Sequence, residues 1–340
     1  MHMADALVSP ATAGTMYVMS AAAAAYSIKK VKAGELDQKV PIMGVMGAFV
    51  FAAQMINFTI PGTGSSGHLC GGALLAAILG PHAGFLTMIA ILAIQCLLFA
   101  DGGLLALGCN VWNMAFYGCF VGGALIGAMT RRKITKGRIT AASVLGCMVS
   151  LQLGAFSVAV ETLASGITEL PFSVFVSMLQ PIHLAIGLVE GMITASVLVF
   201  VYEARPEILY GFSGKTETVG HMSRKKTVMI LGILAVLSGG IFSLFASANP
   251  DGLEWSIEKV AKSTELLASG KLYQLAEKVQ GITALLPDYG FGTSKSTLGT
   301  SFSGIVGGML VLAVCLVVCL AIKRVKHGNS ENRGRVNEQN

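Results

Sequence analysis

The chain has 340 residues, 54% of them hydrophobic and only 12% charged, with 41 glycines and 16 methionines; its mean hydropathy is +0.70. A soluble domain carries about 25% charged residues, so these values exclude an ordinary water-soluble fold and point to a chain solvated largely by lipid. The net charge of +6 is then a matter of where the loops lie against a bilayer, not a sign of nucleic-acid binding.

The sequence opens Met1-His2-Met3 with no basic residue before its first apolar stretch, and so lacks the charged start of a secretory signal. A hydrocarbon core of about 30 Å takes roughly 20 apolar residues as helix. Apolar runs predict spans near 10–28, 40–58, 68–80, 82–100, 104–130, 139–161 and 173–202, then two more near 227–247 and 303–322. The third is short for a full crossing. With the N-terminus outside, the cytoplasmic loops hold Lys29, Lys30, Lys32 and Lys39, then Arg131, Arg132, Lys133, Lys136 and Arg138. They go on to Arg205, Lys215, Arg224, Lys225 and Lys226, and end with Lys323, Arg324, Lys326, Arg333 and Arg335. The other basic residues (Lys259, Lys262, Lys271, Lys278, Lys295) all lie in 248–302, a segment too long for the positive-inside rule to apply.

The predicted fold class is therefore an all-α polytopic membrane bundle with nine crossings, N-terminus out and C-terminus in. It divides into a seven-span unit (1–203), a cytoplasmic linker (204–226) and a two-span unit (227–322). The extracytoplasmic insert of the last, 248–302, reads as partly helical over Trp255–Leu267 and Leu272–Leu286. A polar tail (323–340) is expected to be disordered.

This topology leaves His2 and His68 outside. A bulky second residue keeps Met1 in place, so the Met1 amine, the His2 backbone nitrogen and one His2 ring nitrogen can close two fused chelate rings around one ion. A fourth nitrogen completes a square, the geometry diagnostic of Ni(II) or Cu(II). His68 can supply it, because it ends the glycine-rich Pro61-Gly62-Thr63-Gly64-Ser65-Ser66-Gly67 at the same outer face. A loop dipping into the bundle brings it to the N-terminus and accounts for the short third span, since non-helical backbone at that depth is tolerated where it lines a protein cavity. The candidate metal ligands are Met1, His2 and His68.

Other polar residues carry blander readings. Cys70 is a weaker ligand candidate, and the seven scattered cysteines, with no CxxC pair, read as buried filler. His183 and Glu190 share one face of the seventh span; they read either as a structural hydrogen-bond pair or as an ion or proton step. Asp101 and Glu161 fall near outer helix ends, where a solvated carboxylate is the default. Asn110 and Asn113 read as interhelical glue. The run Ala21–Ala25 offers a flat surface for packing inside the bundle or for docking a membrane subunit.

The opening Met1-His2-Met3-Ala4-Asp5, the loop ending in His68, Asp101-Gly102-Gly103, Asn110–Asn113 and the run from His183 to Gly191 together resemble the CbiM/NikM family over about residues 1–203. These are substrate-capture components of energy-coupling factor transporters for nickel and cobalt. The resemblance places the transported ion, Ni(II) or Co(II), on Met1, His2 and His68, with no permanently bound cofactor. Here Ala4-Asp5-Ala6 departs from the family's commoner opening. Pro250-Asp251-Gly252-Leu253-Glu254 resembles the PDGLE domain, a two-span accessory partner, over about 227–322, which leans the choice towards nickel. The resemblance also implies a membrane coupling subunit and cytoplasmic ATPase subunits in the cell membrane. No P-loop is present, since Leu209 stands where Gly214-Lys215-Thr216 would need its leading glycine. A gradient-driven permease using His183 and Glu190 is the alternative. An intramembrane enzyme is a third class, for which no nucleophile–base pattern is found.

Overall fold

A backbone in lipid has no water to bond, so apolar runs of this length satisfy their N–H and C=O groups as helix. The computed structural model describes residues 1–338 apart from 32, 132, 169, 212–221, 264, 265, 267 and 292–296; side chains at 33–39, 297, 322 and 325–338 are also outside it. In chain order it has α1 (Pro10–Lys30), α2 (Ala33–Gln54), a hairpin of β1 (Phe58–Ile60) and β2 (Ser65–Gly67), α3 (Gly72–Leu79) and α4 (Pro81–Phe99). Then come α5 (Leu107–Thr130), α6 (Lys136–Ser165), α7 (Phe172–Ala204) and α8 (Arg224–Gly240). The insert holds α9 (Gly252–Ala261) and α10 (Lys271–Thr283), and α11 (Thr297–Glu338) closes the chain.

Local signals set the starts. Ser9, Thr135 and Ser223 each accept a backbone N–H at the head of α1, α6 and α8, and Pro10 takes the first helical position of α1, where its missing donor costs nothing. Among the described residues five helical stretches are long and apolar enough to cross a membrane: Pro81–Phe99, Leu107–Thr130, Lys136–Ser165, Phe172–Ala204 and Leu298–Ala321. Val40–Gln54 is a shorter apolar helix. Two thirds of α4 (67%) is buried against one third (33%) of the α11 stretch, so α4 runs through the centre and α11 along the rim. The most extensive helix pairing is α6 with α7; α8 and α11 both lean on α2.

One expectation is corrected. The run 68–80 is not helical throughout: only Gly72–Leu79 is helix, and the hairpin and a non-helical stretch to Gly71 precede it. α3 then turns back on α4 at Gly80, where Tyr210 N–H donates to Ala77 O (2.9 Å) at the end remote from the hairpin. Helix α11 continues from its apolar stretch to Glu338. Residues 212–221 of the linker 204–226 lie outside the described residues.

Candidate metal centre

Residues 1–9 form an arm laid onto the start of α5. Met3 N–H donates to Asn110 Oδ1 (2.7 Å), and Asn110 Nδ2 donates to Met3 O (3.2 Å). Gly103 N–H also donates to Met3 O (2.9 Å), and Ala106 N–H to Asp5 Oδ1 (3.0 Å). The two glycines after Asp101 are what the arm needs. Gly102 has φ +84°, and a Cβ there would stand 2.8 Å from Asn110 Nδ2 and 3.2 Å from the His2 Cβ.

The hairpin delivers the second segment. β1 and β2 pair antiparallel, Phe58 opposite Gly67, and the chain leaves β2 at His68. Below His68 the Glu190 carboxylate accepts the N–H groups of Cys70 (3.0 Å) and Gly71 (2.9 Å), satisfying backbone that no helix or sheet would. Met1 and His68, 67 positions apart, meet with amine and Nε2 3.2 Å from each other. His68 Nδ1–H donates to Leu69 O (3.0 Å), which leaves the Nε2 lone pair towards the amine. The His2 and His68 rings stack with centroids 5.5 Å apart.

His2 is flanked on both nitrogens, by Asp101 Oδ1 at Nδ1 (3.1 Å) and Gln95 Oε1 at Nε2 (3.2 Å). Gln95 is itself oriented by donating from Nε2 to Gln54 Oε1 (2.9 Å). A neutral ring carries one N–H. If Nε2–H donates to Gln95, the lone pair is on Nδ1, the nitrogen that closes a six-membered chelate with the His2 backbone nitrogen.

Sequence reasoning missed Asp251. It is the N-cap of α9: Oδ1 accepts Leu253 N–H (2.8 Å) and Glu254 N–H (2.9 Å), while Glu254 Oε2 accepts Asp251 N–H (3.1 Å), a capping box. Its other oxygen accepts the Met1 amine at 2.5 Å and lies 3.9 Å from His68 Nε2. The segment is tied to the hairpin: Ser66 N–H donates to Pro250 O (2.8 Å) and Trp255 Nε1–H to Thr63 O (3.0 Å). Gly252 is there for close approach, since a Cβ would sit 2.7 Å from Ile186 Cδ1 and 3.1 Å from His183 Cε1. The capping-box pattern Asp251-x-x-Glu254 was legible in sequence; that its free oxygen reaches the N-terminus was not.

Burial opposes charge on the Met1 amine, but the Asp251 carboxylate overrides it and the amine pKa is raised. Burial, then the neighbouring ammonium and His2, lowers His68 to about 4; burial also lowers His2, against the pull of Asp101. Both rings are thus neutral near pH 7, the form that ligates, and the His2–Asp101 contact is not an ion pair. Burial works against the Asp251 carboxylate too, yet the ammonium and His68 hold it well below the usual range.

Met1, His68, Cys70, His183 and Asp251 border a small cavity of about 10 Å³, the size of one water-sized particle. Beside it a vestibule of about 930 Å³ opens between the bundle and the insert, with Asp5, Asp101, Asp251, Glu254, Glu277 and Asp288 in its wall. Among the described residues no group of three or more His, Cys, Asp or Glu side chains could hold a metal; the donors that converge are two imidazoles and the main-chain nitrogens beside them.

Other polar residues depart from expectation. His183 and Glu190 are buried on one face but do not form a pair: His183 Nδ1–H donates to Leu179 O (2.8 Å), while Glu190 holds the His68 segment. Glu161 is not solvated; it is 5% exposed and accepts from Asn113 Nδ2 (2.7 Å). Asp101 is held by His2 and by the Tyr289 hydroxyl (2.6 Å). Asn113 does join two helices, through Glu161, whereas Asn110 binds the N-terminal arm. All seven cysteines are free and buried.

The family model for the cobalt uptake substrate-specific transmembrane region, CbiM, matches residues 2–208. The chain belongs to the CbiM family. A PDGLE domain follows over residues 225–324. A putative fused nickel transport protein NikMN of Archaeoglobus fulgidus is 34% identical over 314 residues, covering 92% of this chain and 96% of that one. A probable fused nickel transport protein LarMN of Lactiplantibacillus plantarum is 30% identical over 326 residues, covering 92% and 95%. The crystal structure of a truncated transition metal transporter superposes with a TM-score of 0.53 at 31% identity, over 60% of this chain and 99% of that one. The candidate metal centre therefore lies where the CbiM-type unit and the PDGLE unit touch.

Proposed function

We propose that this chain captures Ni(II) or Co(II) at the outer face of the cell membrane and passes it inward as the substrate-binding component of an energy-coupling factor importer. The ion is held by four nitrogens: the Met1 amine, the His2 backbone nitrogen, His2 Nδ1 and His68 Nε2. One observation carries this reading, the 3.2 Å approach of the Met1 amine to a neutral, buried His68 from 67 positions away. Cis donors about 2 Å from one ion stand roughly 2.8 Å apart, so little movement is needed. Planar nitrogen coordination favours nickel, and the relatives carrying both units are named for nickel transport.

The finer organisation belongs to the same proposal. The chain crosses nine times with the N-terminus out, in a 1–203 capture unit and a 227–322 accessory unit, with 248–302 outside. A coupling subunit and ATPases reorient the bundle to release the ion inward, and the exposed face of Ala21, Ala22 and Ala25 is available to that subunit. The chain is itself a carrier, not an enzyme.

The test is metal per chain by elemental analysis after purification from nickel- and cobalt-supplemented cells. The parent is expected to hold near-stoichiometric metal, and His2→Ala and His68→Ala to hold none while keeping their melting temperature. Normal metal content in either variant refutes the four-nitrogen site.

A further inference from the structure

The PDGLE unit brings an anion to a centre whose donors are neutral or cationic, and it does so with unusual fixity. One Asp251 oxygen is committed to the α9 cap, which sets the carboxylate plane and directs the other at the Met1 amine and, further off, His68. The backbone on either side is also held, by Ser66 N–H and Oγ–H on the carbonyls of Pro250 and Asn249 (both 2.8 Å) and by Gly252 pressed on Ile186. The other carboxylate near the centre, Asp101, sits at the His2 ring and is more open, 28% exposed against 15% for Asp251.

A charge buried without a partner is strongly destabilising, so the carboxylate must be matched whichever species stands before it. In the structure that species is the Met1 ammonium. When a divalent ion takes the four nitrogens, the ammonium and the His2 amide each lose one proton to the vestibule water. Two positive charges arrive and two leave, so the net charge facing Asp251 is the same before and after. A single fixed carboxylate serves both forms.

Resting on the four-nitrogen reading, we propose that Asp251 is the counter-charge of the capture centre, exchanging the Met1 ammonium for the transported ion, so that the PDGLE unit completes a site begun by the CbiM-type unit. Asp251 is a positioning and charge-matching residue, not one of the four ligands.

The experiment is a Ni(II) titration of the chelator-stripped full chain, read by chelator competition and by the absorption spectrum of the bound ion. Asp251→Asn, Asp251→Ser, Asp251→Glu, His2→Ala and His68→Ala are run in parallel. Asn and Ser both cap helices, so α9 keeps its start without the charge. Both are expected to weaken Ni(II) binding about ten-fold or more, as loss of an outer-shell partner does. The spectrum should stay that of the parent because the four nitrogens remain, and Asp251→Glu should recover most of the affinity. Affinities of the uncharged variants within about two-fold of the parent overturn the proposal, since an outer-shell partner is worth more than that. So does Asp251→Glu binding as weakly as Asp251→Asn, which would make shape and not charge the cause. A parent that takes no nickel, or histidine variants that take it normally, refutes the four-nitrogen reading instead.

Discussion

The two segments that meet at the candidate metal centre are held in opposite ways. The arm 1–9 is fixed largely by the CbiM-type unit, through the two-way bond between Met3 and Asn110, the Gly103 amide and Asp5. The stretch 58–71 is clamped between units, with Glu190 of α7 on one side and the Asn249–Trp255 run of the PDGLE unit on the other. The two His2 donors thus depend on the CbiM-type unit, while the Met1 amine, which also meets Asp251, and His68 depend on both. Perturbing the arm should damage the chelate itself, whereas perturbing the clamp should shift only the approach of His68.

The largest effect that sharpens this contrast is set by pH. The amine, facing Asp251, His68 and Asp101, has a raised pKa and holds its proton near pH 7, so ligation displaces that proton and the amide proton. Each displaced proton strengthens apparent affinity about ten-fold per pH unit, together roughly a hundred-fold, falling to one proton above the amine pKa. The clamp side adds nothing here, because His68, lowered to about 4 by burial and then by the ammonium, is already neutral. Ni(II) affinity measured between about pH 6 and 8 should therefore climb steeply. A flat profile would mean the arm does not ligate through its main chain.

Next comes Asn110→Ala, which removes both side-chain bonds to the Met3 backbone and frees the arm one residue beyond the chelate. The expected loss is about ten- to a hundred-fold in Ni(II) affinity, with the stretch 58–71 keeping its protection in hydrogen exchange. Equal loss of protection in both segments would show that they are not held separately. Glu190→Gln tests the other side. It keeps an oxygen near Cys70 and Gly71 but turns two charge-assisted bonds into at most one neutral one, a loss of about 1–2 kcal/mol. Exchange at the Cys70 and Gly71 amides should quicken accordingly, with only a modest loss of nickel.

What was legible in the sequence follows the same division. Apolar length and the basic loops placed the helices, because a span is specified by local composition. His2 and His68 stood out because chelation by the first two residues is a local property and the expected topology sets both histidines on one face. Contacts between distant segments were not legible. Asp251 reaches Met1 across 250 positions, and its cap pattern says only that a helix begins. Glu161 looked solvated by its place near a helix end, yet Asn113 of a neighbouring helix covers it. The run 68–80 looked like a short span because its composition is apolar throughout, although Glu190 holds Cys70 and Gly71 out of helix.

The smallest effect concerns the outer jaw of the clamp. Trp255 Nε1–H donates to Thr63 O, tying α9 to the turn of the hairpin, and the ring is otherwise only half-buried. Trp255→Phe removes the donor and keeps much of the packing, so the cost is about 0.5–1.5 kcal/mol, one ordinary hydrogen bond. The Ser66 bonds to Asn249 and Pro250 remain to hold Asp251 at the amine. Limited proteolysis within 248–302 should therefore speed up several-fold, while Ni(II) affinity falls by no more than about three-fold, because an opened state costing that much more or less is still a minor population. If nickel affinity instead collapsed as in Asn110→Ala, the PDGLE unit would be holding the whole centre and not only its counter-charge and one wall, and the separation between arm and clamp would fail.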